Sequence, residues 1–312
     1  MASRAATFAQ WLHHAADSDI WWSFKSSATT VVAAVVTLLI IAMAFLAPVI
    51  APHTPFDPGT LSLSDGLKPP VLVSPDGDWS FPLGTDDQGR DVLSSIMYGT
   101  RLSLIVGFAS VIVAMTLGIA LGLISGYFGG TIDAVIMRIA DIQLTFPAIL
   151  VALLIDGLVR GLISSERHDE IATFVIIGAI GLSFWVQYAR TVRGSVLVEK
   201  NKEYVQAARV IGLSPAVIMV RHVLPNVTGP VLVIATINLG LAIITEATLS
   251  FLGVGLPSTQ PSLGTLIRLG NDLLQSGEWW IVVFPGITLA ALVLAVNLLG
   301  DWLRDALNPK LR

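Results

Sequence analysis

Five stretches of the chain run for about twenty residues or more without a charged side chain, and this constrains the fold more than any short motif. Crossing roughly 30 Å of hydrocarbon takes about 20 apolar residues in a helix, the form in which a backbone satisfies its own hydrogen bonds away from water. Ser26–Phe56 has its apolar centre near Thr29–Ile50, and Leu102–Ile132 has one that ends near Ser125. Ile171–Ala189, Val223–Thr245 and Trp279–Gly300 are the others. Asp141 and Asp156 enclose only 14 uncharged residues, so a sixth span requires Ala134–Gly157, with Arg138 and Asp141 near one end. The expected fold is an all-α polytopic membrane protein with six transmembrane helices. Composition agrees: 54% of residues are apolar and 13% charged, against about 25% charged in a soluble domain.

The first run exceeds the roughly 7–15-residue apolar core of a signal peptide and lacks a small-x-small cleavage site, so it reads as an uncleaved anchor. The absence of cysteine excludes disulfides, thiolate metal sites and cysteine nucleophiles. A net charge of −4 gives the whole chain no basic nucleic-acid footprint. With the N-terminus inside, twelve Lys and Arg residues fall on inner segments and six on outer ones, which satisfies the positive-inside bias and puts both termini in the cytoplasm. The organisation that follows is a cytoplasmic segment at 1–27, a first transmembrane helix at 28–50, an extracytoplasmic segment at 51–98 and a five-helix core at 99–312. Ala51–Tyr98 is rich in Pro, Gly and Asp, with seven Asp against two basic residues. It reads as a solvated cap or as a docking surface for an outside partner, which Leu158–Glu170 and Gly253–Glu278 would also reach.

One inner segment, within 193–225, has a different grammar. In EYVQAARVIGLSPAVIMVRHVLPN, Lys202–Ile211 predicts a helix, with Gly212 at the left-handed position that ends one. Ser214 is an N-cap and Pro215 a first-turn residue, so Ala216–His222 predicts a second short helix, and Pro225 predicts its end. As a DNA-reading helix-turn-helix it offers only Arg221 and His222 to base edges. It also fits a hairpin lying on the lipid surface, or a coupling element whose small residues pack into a partner's groove.

Ala207-Ala208-x3-Gly212, followed after nine residues by His222-x-Leu224-Pro225, resembles the EAA loop of ABC importer permeases, E-A-A-x3-G-x9-I-x-L-P. Gln206 stands at the Glu position and His222 at the Ile position. FPLGTDDQGRDVLSSIMYGTRLSLIVG (Phe81–Gly107), SGYFGGTIDAVIMRIADI, TEATLSFLGVG and NLLGDWLRDALNPKLR resemble the C-type subunit of the dipeptide/oligopeptide/nickel permeases, and together they span most of Phe81–Arg312. The resemblance implies a type I importer permease fold in a bacterial inner membrane. It also implies a second homologous permease, two cytoplasmic ATPase subunits that bind ATP and Mg, and an extracytoplasmic solute-binding protein. Its substrates range over dipeptides, longer peptides, nickel chelates and glutathione, with peptides leading. The ATPase-coupling residues it implies are Glu203, Gln206, Ala207, Ala208, Arg209, Gly212, Leu213 and Pro225. Of these, Ala207, Ala208 and Gly212 serve close packing, and Glu203, Gln206 and Arg209 serve peripheral polar contact. No cofactor is expected on this chain, which holds no G-x4-G-K-[ST] phosphate loop.

Ionisable residues within spans are costly and therefore informative. Glu246 is a candidate for the pathway or a gate, or else for an interhelical hydrogen bond. Asn238 and Asn297 predict helix-to-helix hydrogen bonds, and Pro147 and Pro285 predict kinks. GTDDQGRD lacks the spacing of a calcium loop, so Asp86 and Asp91 read as stabilising a helix start, with Arg90 and Arg101 nearby. An intramembrane enzyme is the rival class. Gly300-Asp301 lacks the preceding glycine of a membrane aspartyl-protease motif, and Ser183 in GLSFW lacks the closing glycine of a nucleophile elbow. An ATPase-independent carrier would show inverted repeats, and the sequence has no convincing internal repeat.

Overall fold

The computed structural model describes residues 19–307 except 58, 60, 72, 164 and 258. The expected segment 1–27 therefore lies largely outside the described residues, where only helix α1 (Asp19–Ser26) represents it. Helix α2 (Ala28–Phe45) starts at Ser27, whose Oγ accepts the Thr30 N–H at 3.3 Å. It breaks at Leu46, just before Pro48, and continues as the short α3 (Ala47–Ile50). The second span, α4 (Val92–Phe128), begins ten residues earlier than the uncharged run because Asp91 caps it, accepting the Ser94 N–H at 2.9 Å. Gly129, at φ +67°, ends it and opens α5 (Gly130–Leu144).

The expected third span, kinked at Pro147, is instead two helices. α5 and α6 (Ala148–Leu162) meet at 94°. A proline disfavours the α region for the residue before it, here Phe146, and Pro147 itself takes φ −54° and ψ 135°, so the chain turns there. Pro147 thus separates two helices and does more than kink one. The remaining long helices are α7 (Ser165–Glu199), α9 (Pro215–Phe251) and α11 (Trp280–Leu307), with α8 (Glu203–Val210) and α10 (Leu263–Leu273) between them. Pro285 lies inside α11 without ending it.

α4 and α7 share the most extensive helix pairing. Ser110, Ala114, Gly118, Gly122 and Gly126 recur every four residues down α4, and all are buried. Side chains at those glycines would meet Tyr188, Ala189, Val192 and Val196 of α7. Such small-residue stripes let helix backbones approach where lipid supplies no hydrophobic drive between helices. α9 lies against α4, α7 and α11, and α2 closes the far side of α11. α10 is tucked between α9 and α11: Gly264 abuts the Ala247 backbone, and Gly270 abuts Ile281 and Val282. Large apolar side chains such as Val32, Leu38, Phe108, Phe174 and Leu294 point outward from these helices, as expected of a surface that meets lipid or other spans.

The segment before α4 is packed onto the bundle. The Lys68 ammonium lies 2.8 Å from Asp65 and 3.2 Å from Asp78, and above the Phe81 ring. The Trp280 indole N–H donates to the Thr85 carbonyl at 3.1 Å, tying this segment to the start of α11. Asp91 stabilises the start of α4, whereas Asp86 forms a buried pair with Arg90 at 2.6 Å in the turn that precedes the helix.

Candidate functional site: the hairpin at Glu203–Asn226

The 31 residues of Asp169–Glu199 extend about 46 Å at 1.5 Å per residue, some 16 Å more than the hydrocarbon needs. The helix is therefore longer than the hydrocarbon is thick, and three clamps fix its C-terminal end. Arg193 donates twice to Asp133 of α5, at 2.5 and 2.6 Å, and Ser125 of α4 donates to the same carboxylate. The Lys200 ammonium reaches the Gly126 carbonyl at 2.7 Å. Glu199 then accepts from Lys202 at 2.8 Å and from the Tyr204 hydroxyl at 2.9 Å. Burial, and the hydrogen bond to this carboxylate, push the Tyr204 phenol above its ordinary value. Asn226 closes the loop by donating to the Tyr204 oxygen at 3.1 Å and to the His222 carbonyl at 2.8 Å.

α8 ends in a Schellman arrangement. The Gly212 N–H bonds the Arg209 carbonyl, the Leu213 N–H bonds the Ala208 carbonyl, and Gly212 holds φ +86°. Ser214 and Pro215 open the next helix, with Pro215 in its first turn, although the Ser214 side chain makes no capping bond. The expected separate second helix is not formed. Ile218–Val223 adopts a π-helical turn, and α9 runs on through Pro225 to Phe251. Pro225 has no N–H to give to the preceding turn, and a widened turn relieves the clash that a proline ring makes in a regular helix. One arm of the hairpin is therefore continuous with a transmembrane helix.

The structure sorts the candidate residues by face. Val205 and Ala208 are buried against Ile218, Val223 and Val227 within the same chain. Ala208 faces inward: at i, i+3 from Val205 it lies on the helix stripe that packs on α9. Glu203, Ala207, Gly212 and Pro225 are exposed. Gln206 is exposed and donates to the Lys200 carbonyl at 3.1 Å, and Arg209 lies 5.0 Å from the Tyr127 ring centre. Val210 and Ile211 are 88% and 76% exposed, beside the partly exposed Leu213 and Val217. Val210 and Ile211 lie outside the small-residue motif that dominates this stretch of sequence. The amphipathic spacing of α8, with Val205 and Ala208 on one side and Val210 on the other, was the available signal.

Glu246 lies at the other end of the bundle and is fully buried. It accepts from Ser103 of α4 at 2.7 Å and from Ser250 at 2.8 Å. Ser103 also accepts the Leu263 N–H at 3.2 Å, so one carboxylate links α4, α9 and the start of α10. This is interhelical hydrogen bonding within one subunit. Asn238 departs from its expectation: it is buried near the Tyr188 hydroxyl, yet neither group has a well-formed hydrogen bond among the described residues. The Asn297 amide fills the place that a Gly240 side chain would need.

A chain from a structure titled as inward facing conformations of the MetNI methionine ABC transporter shares this fold. The TM-score is 0.53 at 19% identity, over 69% of this chain and 96% of that one. The helices therefore form an ABC importer permease fold. Residues 118–312 match the family described as binding-protein-dependent transport system inner membrane component, and residues 18–70 match the N-terminal TM domain of oligopeptide transport permease C. The dipeptide transport system permease protein DppC of Haemophilus influenzae is 37% identical over 94% of this chain and 95% of its own. The di/tripeptide transport system permease protein DppC of Pseudomonas aeruginosa is 37% identical over 94% and 92%. The oligopeptide transport system permease protein OppC of Bacillus subtilis is 38% identical over 93% and 88%. The chain belongs to the binding-protein-dependent transport system inner membrane component family, as a permease subunit of an ABC importer and not an enzyme.

Proposed function

We propose that this chain forms half of the translocation pathway of an ATP-driven importer of dipeptides or oligopeptides, together with a second homologous permease. Two cytoplasmic ATPase subunits, binding ATP and Mg, drive it, and an extracytoplasmic solute-binding protein delivers the substrate. On this reading both termini are cytoplasmic, and the 51–98 segment faces the binding protein. The peptide relatives support the substrate class over nickel chelates and glutathione.

The observation that carries the coupling role is the exposed apolar edge of Val210, Ile211 and Leu213 on a hairpin clamped to α4, α5 and α7 and continuous with α9. A stiff element with an uncovered apolar edge suits a groove on a partner, and its continuity with α9 lets a partner's closure tilt a span. Such coupling requires that the hairpin's contacts differ between the two states of the ATPase. Glu203 and Arg209 would flank the apolar contact, with Ala207 beside it. Glu246 would act on a gate only indirectly, by fixing α4 against α9 and α10.

The test is purification of the assembled complex. Replacing both Val210 and Ile211 by Asp should release the ATPase subunits while the permease stays inserted, because burying each aliphatic side chain contributes about 1.5–3 kcal/mol. Retention of ATPase at wild-type stoichiometry by this double variant would remove the hairpin from the interface.

A further inference from the structure

A cavity of about 300 Å³ opens beside the first turns of α4, walled by Phe56, Tyr98, Arg101, Leu102, Gln260 and Pro261. Its charged side chain is Arg101. Three other basic groups on this side pair within the chain: Lys68 with Asp65 and Asp78, Arg90 with Asp86, and Arg160 with Asp156. Arg101 has no hydrogen-bonding or ionic partner among the described residues. It is only half-buried, about 14 Å along the helix from Val92. It stands one residue before the uncharged run Leu102–Ile132, at the outer boundary of the span, where a guanidinium can take an anionic ligand.

The walls say what. Phe56 and Tyr98 meet edge to face at 6.1 Å and form an apolar corner beside the guanidinium. Gln260 is held from the opposite side, its Oε1 accepting the Thr173 hydroxyl of α7 at 3.1 Å, which leaves its amide N–H groups to donate. A planar guanidinium binds a carboxylate through two parallel hydrogen bonds, and a neighbouring amide can hold a peptide carbonyl. Peptides of different sequence differ in every side chain but share a terminal carboxylate. An apolar wall with a single cation suits that mixture of constant and variable groups.

We propose that this cavity receives the terminal carboxylate of a peptide in transit. The inference rests on the peptide-importer reading above.

The test uses the assembled transporter with its ATPases and binding protein, reconstituted in vesicles of phosphatidylcholine alone and of phosphatidylcholine with phosphatidylglycerol. Uptake of labelled dialanine and ATP hydrolysis are measured for the wild type, Arg101→Gln and Arg101→Lys. Arg101→Gln should lower uptake per ATP roughly tenfold or more in both vesicle types, the loss expected for one charged hydrogen-bonding group. ATP hydrolysis stimulated by the binding protein should persist, since Arg101 has no partner among the described residues to lose, and Arg101→Lys should recover part of the uptake. Equal uptake per ATP by wild type and Arg101→Gln overturns the site. A loss confined to vesicles containing phosphatidylglycerol also overturns it, and assigns the cavity to a lipid phosphate. A wild-type complex that carries neither dialanine nor trialanine sinks the peptide reading, and this site with it.

Discussion

Replacing Gly122 by alanine tests whether the fold depends on close approach of α4 to α7. The added Cβ would lie 2.6 Å from the Ala189 carbonyl oxygen and 2.8 Å from the Val192 Cβ, against 3.4–4 Å for ordinary contact. The shortfall is up to about 0.8 Å, and the nearer atom is backbone, so the two helices must separate. Overpacking of this kind costs about 1–3 kcal/mol. Alanine is a better helix former than glycine by up to about 1 kcal/mol, which offsets part of that loss. The net expectation is a destabilisation of about 1–2 kcal/mol. Gly194 on α7 is the control, because its Cβ would meet nothing within 4 Å. Gly194→Ala should be neutral or stabilising by about 0.5–1 kcal/mol. Tryptophan fluorescence of the detergent-purified subunit during thermal or SDS-driven unfolding reads both. If Gly122→Ala matches wild type, or if both variants shift in the same direction, the helix contact is not what the structure implies.

Ser103→Ala should strip one hydrogen bond from Glu246 and one from the Leu263 N–H, both buried, and destabilise by about 1–3 kcal/mol in the same assay. Glu246→Gln should keep its transport rate per inserted subunit, which uptake normalised to membrane abundance would check; a selective loss of rate would return Glu246 to the pathway. At Gly212, Asn should be tolerated, whereas Val should cost about 1–2 kcal/mol of hairpin stability through the left-handed backbone, measured as lost substrate-stimulated ATP hydrolysis with insertion intact. The Ser80 N–H and the Lys68 ammonium hold the Asp78 carboxyl below its ordinary value of 3.8. That contribution is complete above the unfolded value and is lost as pH falls through the lower folded one. Amide hydrogen exchange around Phe81–Gly84, corrected for its intrinsic pH dependence, should be steady at neutral pH and quicken only as pH falls below the ordinary carboxylate value.

The long uncharged runs and the left-handed glycine of the hairpin were legible because each rests on a local rule: length against bilayer thickness, and backbone freedom at Gly212. The third span was legible only as apolar. Phe146-Pro147 marks a break in any helix, but the 94° angle depends on where α6 packs against α7. Pro225 misled for the opposite reason, since a local breaker was absorbed by a π turn that the surrounding contacts sustain. The small-residue column of α4 was visible in the sequence at Gly118-x3-Gly122-x3-Gly126, a spacing that becomes informative once α4 is known to be a helix.

By itself, the sequence determined that the chain crosses a membrane several times, which segment interrupts the spans, and which family that interruption resembles, because hydrophobic length and motif spacing are properties of consecutive residues. The tertiary structure alone decided which side of each helix is spoken for. It turned Ala208 inward and left Val210 and Ile211 bare. It enclosed Glu246 among hydroxyls from two helices and left Arg101 beside a cavity with no partner among the described residues. Burial and pairing depend on neighbours distant in the chain: Ser103 and Glu246 meet across 143 residues, and no local pattern encodes that contact.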